Sequence, residues 1–351
     1  MCMQGSSHKK VFIRTDANAL MASGHVMRCL SVADALSELG VKVEFILSDY
    51  GPLKNIQDRG YAAFVLGTDW RDIEEGTEET IERCFGQLSD SVLLIDTYSV
   101  SKGYVDKLSR YGTVCYLGSK SGDLGPLSLL VNYSTNIDVG LYQKTYEPYK
   151  TILLLGPSYA PLRHEFASLY SKPTGEIKKV LVTTGNTDPV RFVPAFLQAV
   201  LAVDSLSEVE YHIVIGSMFD DVDEIVRIGN RSTQVVIHQS VSDMAALMHL
   251  MDAAITANGT TVYEMAAIGL PAITFAMVQE QIPSAEELFR LGATAYAGSC
   301  DTSVSCVVDK AIQNLKSFIS HPSAAYTLAY QAHTLIDGLG AGRIAKELVK
   351  L

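Results

Sequence analysis

The sequence predicts an α/β protein built from two doubly wound parallel sheets. Short runs rich in Val, Ile, Leu and Phe alternate with segments of helical apolar spacing, which is the pattern of parallel strands covered by helices. The alternation stops at a polar stretch, SLYSKPTGEIKK (168–179), and starts again at Val180. A chain of 351 residues is also long enough for two cores. We therefore expect a first domain over residues 1–170, a second over 179–325, and C-terminal helices over 326–351 that pack back toward the first domain.

Each strand is predicted from a short apolar run bounded by glycine, proline or polar residues. The predicted strands cover residues 9–13, 41–47, 62–66, 91–95, 114–117, 128–131 and 151–155 in the first half, and 180–183, 211–215, 234–237, 253–256 and 271–275 in the second. Helical spacing predicts helices over residues 26–39, 190–203, 242–250 and 260–268. Near the end of the chain, Gly338, Gly340 and Gly342 predict a bend between two helices.

Composition and charge exclude several classes of protein. Hydrophobic residues make up 48% of the chain and charged residues 19%, as in a compact protein rather than a disordered one. The net charge of −11, from 28 Lys and Arg against 39 Asp and Glu, disfavours nucleic acid as a partner. The first ten residues, MCMQGSSHKK, lack a signal-peptide pattern, and no apolar run approaches the ~18 residues of a membrane span. We therefore expect a cytoplasmic protein without stable membrane insertion.

The six cysteines carry no pattern of a redox or metal site. They are scattered through the chain without a CxxC pair or the spacing of metal ligands. Reduced, mostly buried thiols are the simplest interpretation. We predict no disulfide, no metal site and no cofactor.

The strongest chemical signal lies in the stretch RTDANALMASGHVMR (14–28), between the first strand and the first helix. In a parallel sheet, this carboxyl end of a strand faces the ligand crevice. Gly24 allows close approach of the backbone to a ligand, and the helix macrodipole disfavours the protonated form of His25 in the first turn. A neutral His25 can act as a base, and Asp16 is a candidate to accept its other ring N–H. The alternative is an ordinary turn in which His25 caps the helix and Asp16 caps backbone groups.

Two further polar residues follow the predicted strand over residues 91–95. Asp96 and Tyr98 lie at the same carboxyl edge of the sheet as His25, so both could reach the crevice. The alternative for Asp96 is a cap on the next helix.

The second half contains a candidate phosphate site in the segment ANGTTVYEMAAIGLP (257–271). A strand is followed directly by a helix start whose residues supply hydroxyls and free N–H groups to an anion, namely Asn258, Gly259, Thr260 and Thr261. Glu264, one turn further, could accept hydrogen bonds from a ribose diol, or act only as a capping acid. The turn TTGNTDP, with Gly185 and Asn186, has a similar strand, turn and helix order. No Walker-type lysine follows Gly259, which disfavours ATP hydrolysis.

Taken together, these motifs resemble the family of UDP-sugar hydrolases that act in pseudaminic acid biosynthesis. The motifs that carry the resemblance are IRTDANALMASGHVMRCLSVADAL, LIDTYS, LGPSYAPLRHEF, TTGNTDP, ANGTTVYEMAAIGLP, EQIPSAEEL and IDGLGAGRI. The resemblance implies the GT-B fold, with two Rossmann-like domains facing a cleft. It also implies metal-independent release of UDP from a UDP-linked 2,4-diacetamido-2,4,6-trideoxy sugar, with water as acceptor and with inversion.

The resemblance assigns roles to individual residues. His25 matches the catalytic histidine, with Asp16 beside it in the catalytic motif. Glu264 matches the acid that holds the uridine ribose, and Tyr98 matches a substrate-contacting tyrosine. The full set expected to bind substrate is Arg14, Gly24, Arg28, Asp96, Tyr98, Gly185, Asn186, Asn258, Gly259, Thr260, Thr261, Glu264, Glu280 and Gln281.

The chain also departs from the family pattern, and other functions stay open. Ala22 stands where a glycine is usual, Asn186 replaces the second of two glycines, and Glu280 stands where asparagine usually precedes Gln281. The same architecture serves glycosyltransferases that use a glycan or lipid acceptor, so the fold alone does not define the reaction. A binding protein without turnover is a third possibility, against which the presence of His25 argues. The oligomeric state is open, and a monomer is plausible.

Overall fold

The computed structural model describes residues 9–16, 24–86, 90–172 and 175–351, in which strands and helices alternate. The predicted turn residue Ala22 and the linker residue Pro173 lie outside these ranges. Up to residue 163 the elements are β1 (Lys10–Thr15), α1 (Gly24–Glu38), β2 (Lys42–Leu47), α2 (Leu53–Asp58), β3 (Ala62–Val65), α3 (Thr77–Phe85), β4 (Ser91–Asp96), α4 (Lys102–Leu108), β5 (Thr113–Leu117), β6 (Leu129–Asn132), α5 (Val139–Tyr146) and β7 (Ile152–Leu155). The remaining elements are α6 (His164–Ser168), β8 (Lys179–Thr183), α7 (Phe192–Val200), β9 (Glu210–Ile215), α8 (Val222–Gly229), β10 (Val235–Gln239), α9 (Met244–His249), β11 (Ala253–Ala257), α10 (Thr260–Ile268), β12 (Ala272–Ala276), α11 (Ile282–Arg290), β13 (Ala295–Ser299), α12 (Val304–Ser320), α13 (Pro322–Leu335) and α14 (Gly340–Lys350).

The first sheet has the strand order β3-β2-β1-β4-β5-β6-β7 in the described residues, and every neighbouring pair is parallel. Both faces are covered, because successive side chains of a strand point to opposite faces. Val11 and Ile13 pack in a core with α1 and α14, whereas Phe12 packs in a second core with α4 and α5. This burial on both faces explains why β1 reads as a continuous apolar run.

The second sheet has the order β10-β9-β8-β11-β12-β13, again with parallel neighbours. All twelve predicted strands are confirmed to within two residues at each end. β13, with the sequence AYAGS, was not predicted, because Ala, Gly and Ser have low strand propensity. It is recruited by pairing with β12.

The chain divides into two compact units. Unit 1 comprises residues 1–163 and 339–351, and unit 2 comprises residues 164–338. The boundaries lie after residues 163 and 338, whereas the expected limits were 170, 179 and 326. They differ because α6 and α13 both pack on α10 and therefore belong to unit 2. Only α14 returns to unit 1, where Ile344, Ala345 and Leu348 join the core beside α1.

None of the helices in the described ranges combines the length and the apolar character that crossing a bilayer would require.

The attachment of α14 to unit 1 depends on a glycine. A Cβ added at Gly340 would lie 2.2 Å from the carbonyl oxygen of Ala160, whereas one added at Gly342 would meet nothing within 4 Å. We expect Gly340→Ala to lower the free energy of unfolding by about 1 to 3 kcal/mol, since backbone must move to admit the methyl group. The matched variant Gly342→Ala should raise it by about 0.5 to 1 kcal/mol through helix propensity alone. Urea unfolding of both variants measures the difference, and equal effects would contradict the close approach at Ala160.

Candidate functional site

The chemically active groups of unit 1 gather where the order of its strands reverses. β1 lies between β2 and β4, so the chain winds in one direction from β1 to β3 and in the other from β4 to β7. Open parallel sheets bind ligands at the carboxyl ends of the strands beside such a reversal. Asp96 is the last residue of β4, and His25 lies in the first turn of the helix that follows β1. The topology thus brings together two residues that are 71 positions apart.

His25 and Asp96 form a buried dyad that Arg28 completes. The Nδ1 atom of His25 lies 2.5 Å from Oδ1 of Asp96. Arg28 binds both carboxylate oxygens, through Nε to Oδ2 at 2.5 Å and through Nη2 to Oδ1. The Sγ atom of Cys29 donates to Oδ2 at 3.2 Å. Asp96 is therefore surrounded by donors and has no exposed surface.

The Asp96 carboxyl group is held in its ionised form. Burial by itself would raise the pKa of Asp96, but the charge of Arg28 and the hydrogen bonds from Arg28 and His25 outweigh burial and lower the pKa to about 2. Arg28 experiences the complementary effect. Burial opposes its charge, yet Asp96 raises the pKa of Arg28 well above its usual value. Asp96 and Arg28 are thus a compensated ion pair at neutral pH.

An ionised Asp96 determines which nitrogen of His25 carries the proton. A carboxylate can only accept, so Nδ1 must donate, and Nε2 keeps its lone pair. The Nη2 atom of Arg28 lies 3.0 Å from Nδ1 of His25. Both nitrogens donate to the carboxylate of Asp96. The imidazole is oriented as a base while the neighbouring negative charge is compensated. Such an arrangement can accept a proton at Nε2.

Two tyrosines complete the cluster. The ring of Tyr98 stands edge-on to the imidazole of His25, with ring centroids 4.3 Å apart, and 64% of Tyr98 is exposed. Tyr133 follows β6 and accepts a hydrogen bond of 2.8 Å from Nη1 of Arg28. Tyr133 was not predicted from the sequence, although its place just after a strand at the carboxyl edge was a usable signal.

The prediction that Asp16 orients His25 is wrong. Oδ1 of Asp16 accepts hydrogen bonds from Nη1 of Arg14 at 2.6 Å and from the backbone N–H of Ser48 at 3.0 Å. Arg14 also donates to Oγ of Ser48 at 2.5 Å. Asp16 therefore turns toward the end of β2, whereas His25 meets β4 on the other side of β1. Arg14 is only 1% exposed, so it braces β1 against β2 rather than offering a surface to substrate.

Asp96 fits neither of its two predicted roles. Its complete burial leaves no atom for direct contact with substrate, and Ser101, not Asp96, caps α4 by accepting from the backbone N–H of Tyr104. Arg28, expected to bind substrate, instead binds Asp96 and Tyr133. Gly24 is the first residue of α1, and a Cβ there would meet nothing within 4 Å.

Unit 2 contains a pocket of about 490 Å³ at the corresponding edge of its own sheet. The strand order reverses between β8 and β11, and the pocket is lined by the ends of β8, β9 and β10 and by the start of α10. A Cβ at Gly216 would lie 2.3 Å from the carbonyl oxygen of Gly185, so the loops after β8 and β9 touch backbone to backbone. The amide of Met218 also donates to the carbonyl of Asn186 at 3.0 Å.

The pocket brings together some of the predicted residues of the second half. Gly185, Asn186, Thr261 and Glu264 line it. The lining also includes Ser217, Gln239, Ser240, Val241 and Met244, which were not predicted from the sequence. Because β10 ends at Gln239, two residues beyond the predicted strand, the rule that ligands bind at carboxyl ends would have identified Gln239 and the residues that follow it.

Other predicted residues surround the start of α10 without lining the pocket. Asn258 is 7% exposed, and its Nδ2 atom donates to the carbonyl of Gln281 at 3.4 Å. The side chain of Gln281 accepts from the backbone N–H of Met277 at 2.8 Å, so Gln281 braces its own turn. Gly259 caps α10, and Thr260 and Glu280 are exposed.

A metal site needs several ligating side chains within reach of one ion. Across residues 9–16, 24–86, 90–172 and 175–351, no group of three or more His, Cys, Asp or Glu side chains is arranged to hold a metal ion.

Two curated proteins are similar in sequence to this chain. An uncharacterised protein of Methanocaldococcus jannaschii, MJ1062, is 24% identical over 276 residues, which cover 75% of this chain. The spore coat polysaccharide biosynthesis protein SpsG of Bacillus subtilis is 26% identical over 228 residues, or 63% of this chain. The matches span 55% and 66% of the lengths of these two relatives. No family model matches the chain.

Solved structures give a closer comparison of the fold. MurG of Acinetobacter baumannii superposes with a TM-score of 0.67 at 14% identity, covering 98% of this chain and 100% of its own. The chain of 351 residues therefore has the GT-B fold. The spinosyn rhamnosyltransferase SpnG complexed with thymidine diphosphate superposes with a TM-score of 0.64 at 13% identity, covering 97% of this chain and 100% of its own. This GT-B likeness agrees with the fold class predicted from the sequence.

The ion pair in unit 1 leads to a stability prediction. Asp96→Asn leaves Arg28, whose side chain is only 18% exposed, without a counter-charge, so we expect the free energy of unfolding at pH 7 to fall by about 3 to 5 kcal/mol. The folded pKa of Asp96 lies below its unfolded value, so the carboxylate stabilises the fold above about pH 4 and loses this contribution as the pH falls toward about 2. The difference between variant and wild type should narrow over that interval in denaturant titrations. Asp69→Asn, at a half-exposed ion pair, should change stability by less than about 1 kcal/mol and serves as control.

Proposed function

We propose that this protein is a metal-independent, inverting hydrolase that releases UDP from a UDP-linked diacetamido-trideoxy sugar of the pseudaminic type. The observation that carries the proposal is the buried His25–Asp96–Arg28 cluster, which orients one imidazole as a base at a ligand-binding sheet edge. The GT-B fold, the similarity to a spore coat polysaccharide biosynthesis protein, and the motif resemblance support this class of substrate.

In the proposed reaction, His25 activates water. Nε2 of His25 takes a proton from water as the water oxygen attacks the anomeric carbon. Water attacks the face opposite the phosphate, which inverts the configuration, while the bond from that carbon to the phosphate oxygen breaks and UDP leaves with the electron pair. Asp96 holds the imidazolium in place through Nδ1, while Arg28 keeps the charge of Asp96 compensated. General base catalysis of this kind is typically worth about 10²- to 10⁴-fold.

The proposed nucleotide site is the pocket of unit 2. The start of α10, with Thr261, offers free N–H groups and a positive dipole end to a diphosphate. Glu264 lies in the same lining and would accept hydrogen bonds from the ribose hydroxyls. The uracil ring would then contact the part of the lining that includes Gln239 and Met244. UDP is a good leaving group when its charge is held in this way, so no general acid is required.

The second candidate function is a glycosyltransferase that moves the sugar to a glycan or lipid acceptor. The observation that favours it is the likeness of the fold to proteins named as glycosyltransferases, such as SpnG. Incubating the pure protein with UDP-sugars and measuring free UDP without any acceptor separates the two functions. Release in the presence of EDTA supports the metal-independent hydrolase. Release only after an acceptor is added would replace the proposal with transfer, and dependence on magnesium or manganese would overturn metal independence.

The role of Glu264 can be tested by binding alone. Losing a hydrogen bond to a charged group costs roughly 1.5 to 3 kcal/mol, so Glu264→Ala should weaken UDP binding by more than about tenfold. Isothermal titration calorimetry with UDP measures this without a sugar substrate. Glu286→Ala, which removes an exposed acid on α11 outside the pocket, should leave the Kd unchanged. Unaltered affinity in Glu264→Ala would contradict the ribose assignment.

The role of His25 is tested by separating turnover from binding. His25→Asn keeps a donor for Asp96 but has no base at the position of Nε2, so we expect kcat to fall by at least about a hundredfold. The affinity for UDP should stay within about twofold, because the proposed nucleotide contacts lie in unit 2. Steady-state UDP release and calorimetry supply the two measurements. Wild-type turnover, or loss of UDP binding together with activity, would show that His25 is not the base.

A further inference from the structure

Lys120 follows β5 and binds the turn that carries Tyr98. Its Nζ atom donates to the backbone carbonyl of Val100 at 2.5 Å and to that of Tyr98 at 3.3 Å. The turn spans residues 97–101, between the end of β4 and the cap of α4. One ammonium group therefore ties together two carbonyls of a short loop that has no regular secondary structure.

The position of Lys120 is itself built by buried side chains. Its backbone N–H donates to the hydroxyl of Tyr116 at 3.2 Å, and its carbonyl accepts from the hydroxyl of Tyr142 at 3.2 Å. The hydroxyl of Tyr142 in turn accepts from Nδ2 of Asn132 at 2.9 Å. Tyr116, Tyr142 and Asn132 are all less than 9% exposed. The backbone of Lys120 is thus anchored on both sides, so its side chain reaches the turn from a defined origin.

We propose that Lys120 is a positioning residue, which holds the ring of Tyr98 against the imidazole of His25. Tyr98 is 64% exposed, and the ring contact recorded for it in the described residues is with His25. Packing therefore does little to restrain the Tyr98 side chain. Its backbone restraint comes from the neighbouring turn, where Lys120 supplies a charge-assisted bond to a carbonyl on each side of Ser99. Through this restraint Lys120 shapes the surroundings of the His25 imidazole. The inference rests on the proposed function for its kinetic consequence, and on geometry alone for the ring contact.

The first measurement needs no substrate. In the nuclear magnetic resonance spectrum, we expect the ring of Tyr98 to shift the ring-proton signals of His25, which are assigned by their loss in His25→Asn. Tyr98→Leu defines the position of these signals without the ring. In Lys120→Met, which keeps the length of the stem and removes the donor, the signals should move toward that position. Lys120→Arg should restore them, and Lys54→Met, at an exposed lysine on α2, should leave them unchanged.

The second measurement is UDP release. A misplaced Tyr98 ring beside His25 should lower kcat/KM in Lys120→Met by about tenfold, while the Kd for UDP stays within about twofold. Because Lys120 acts through Tyr98, its replacement should have little further effect in the Tyr98→Leu background. The proposal would be overturned if the His25 signals did not move in Lys120→Met. It would also be overturned if Lys120→Met lowered kcat/KM equally in the wild-type and Tyr98→Leu backgrounds. If no UDP-sugar is hydrolysed by the wild type, the proposed function fails, and the resonance experiment still decides the role of Lys120.

Discussion

The arrangement of polar groups in unit 1 depends on the buried carboxylate of Asp96, whose charge is balanced by Arg28. Asp96 lies at the end of a central strand, where burial alone would favour its neutral form. Arg28 reverses that preference by binding both oxygens, and the ionised group can then accept from His25. Without Arg28, burial would favour the neutral carboxyl group, and Asp96 would no longer present a carboxylate to His25. The ion pair therefore gives orientation to the imidazole without placing a free negative charge beside it.

The same topological feature is used differently in the two units. Each has a parallel sheet whose order reverses once, between β1 and β4 in unit 1 and between β8 and β11 in unit 2. At the first reversal the strand ends carry titratable side chains that bind one another. At the second they carry glycines and hydroxyls, and Gly216 lets two loops touch and leave a pocket beside α10. Under the proposed function, the first sheet edge would transfer a proton and the second would hold the diphosphate.

Restraint at the candidate site comes from groups that do not themselves face the solvent. Tyr133 holds Arg28, the buried tyrosines Tyr116 and Tyr142 anchor Lys120, and Ser48 holds the pair of Arg14 and Asp16. The hydroxyls of these three tyrosines are hydrogen-bonded before any ligand arrives, so they rigidify the groups that a substrate would meet. These hydrogen-bonded groups hold Tyr98 and His25 at the edge of the sheet.

The sequence by itself determined the alternation of strands and helices, because burial on both faces of a parallel sheet imposes a local apolar pattern that can be read over five or six residues. It also placed His25 in the first turn of a helix after a strand and Glu264 one turn beyond such a helix start, since that placement follows from local order along the chain. Only the tertiary structure decided which acid serves His25. Asp16 is nearer in sequence, but strand order places β2 on its side and β4 on the side of His25, so Asp96 from 71 residues away makes the contact. A partner across a sheet depends on which strands are neighbours, and no local pattern encodes that.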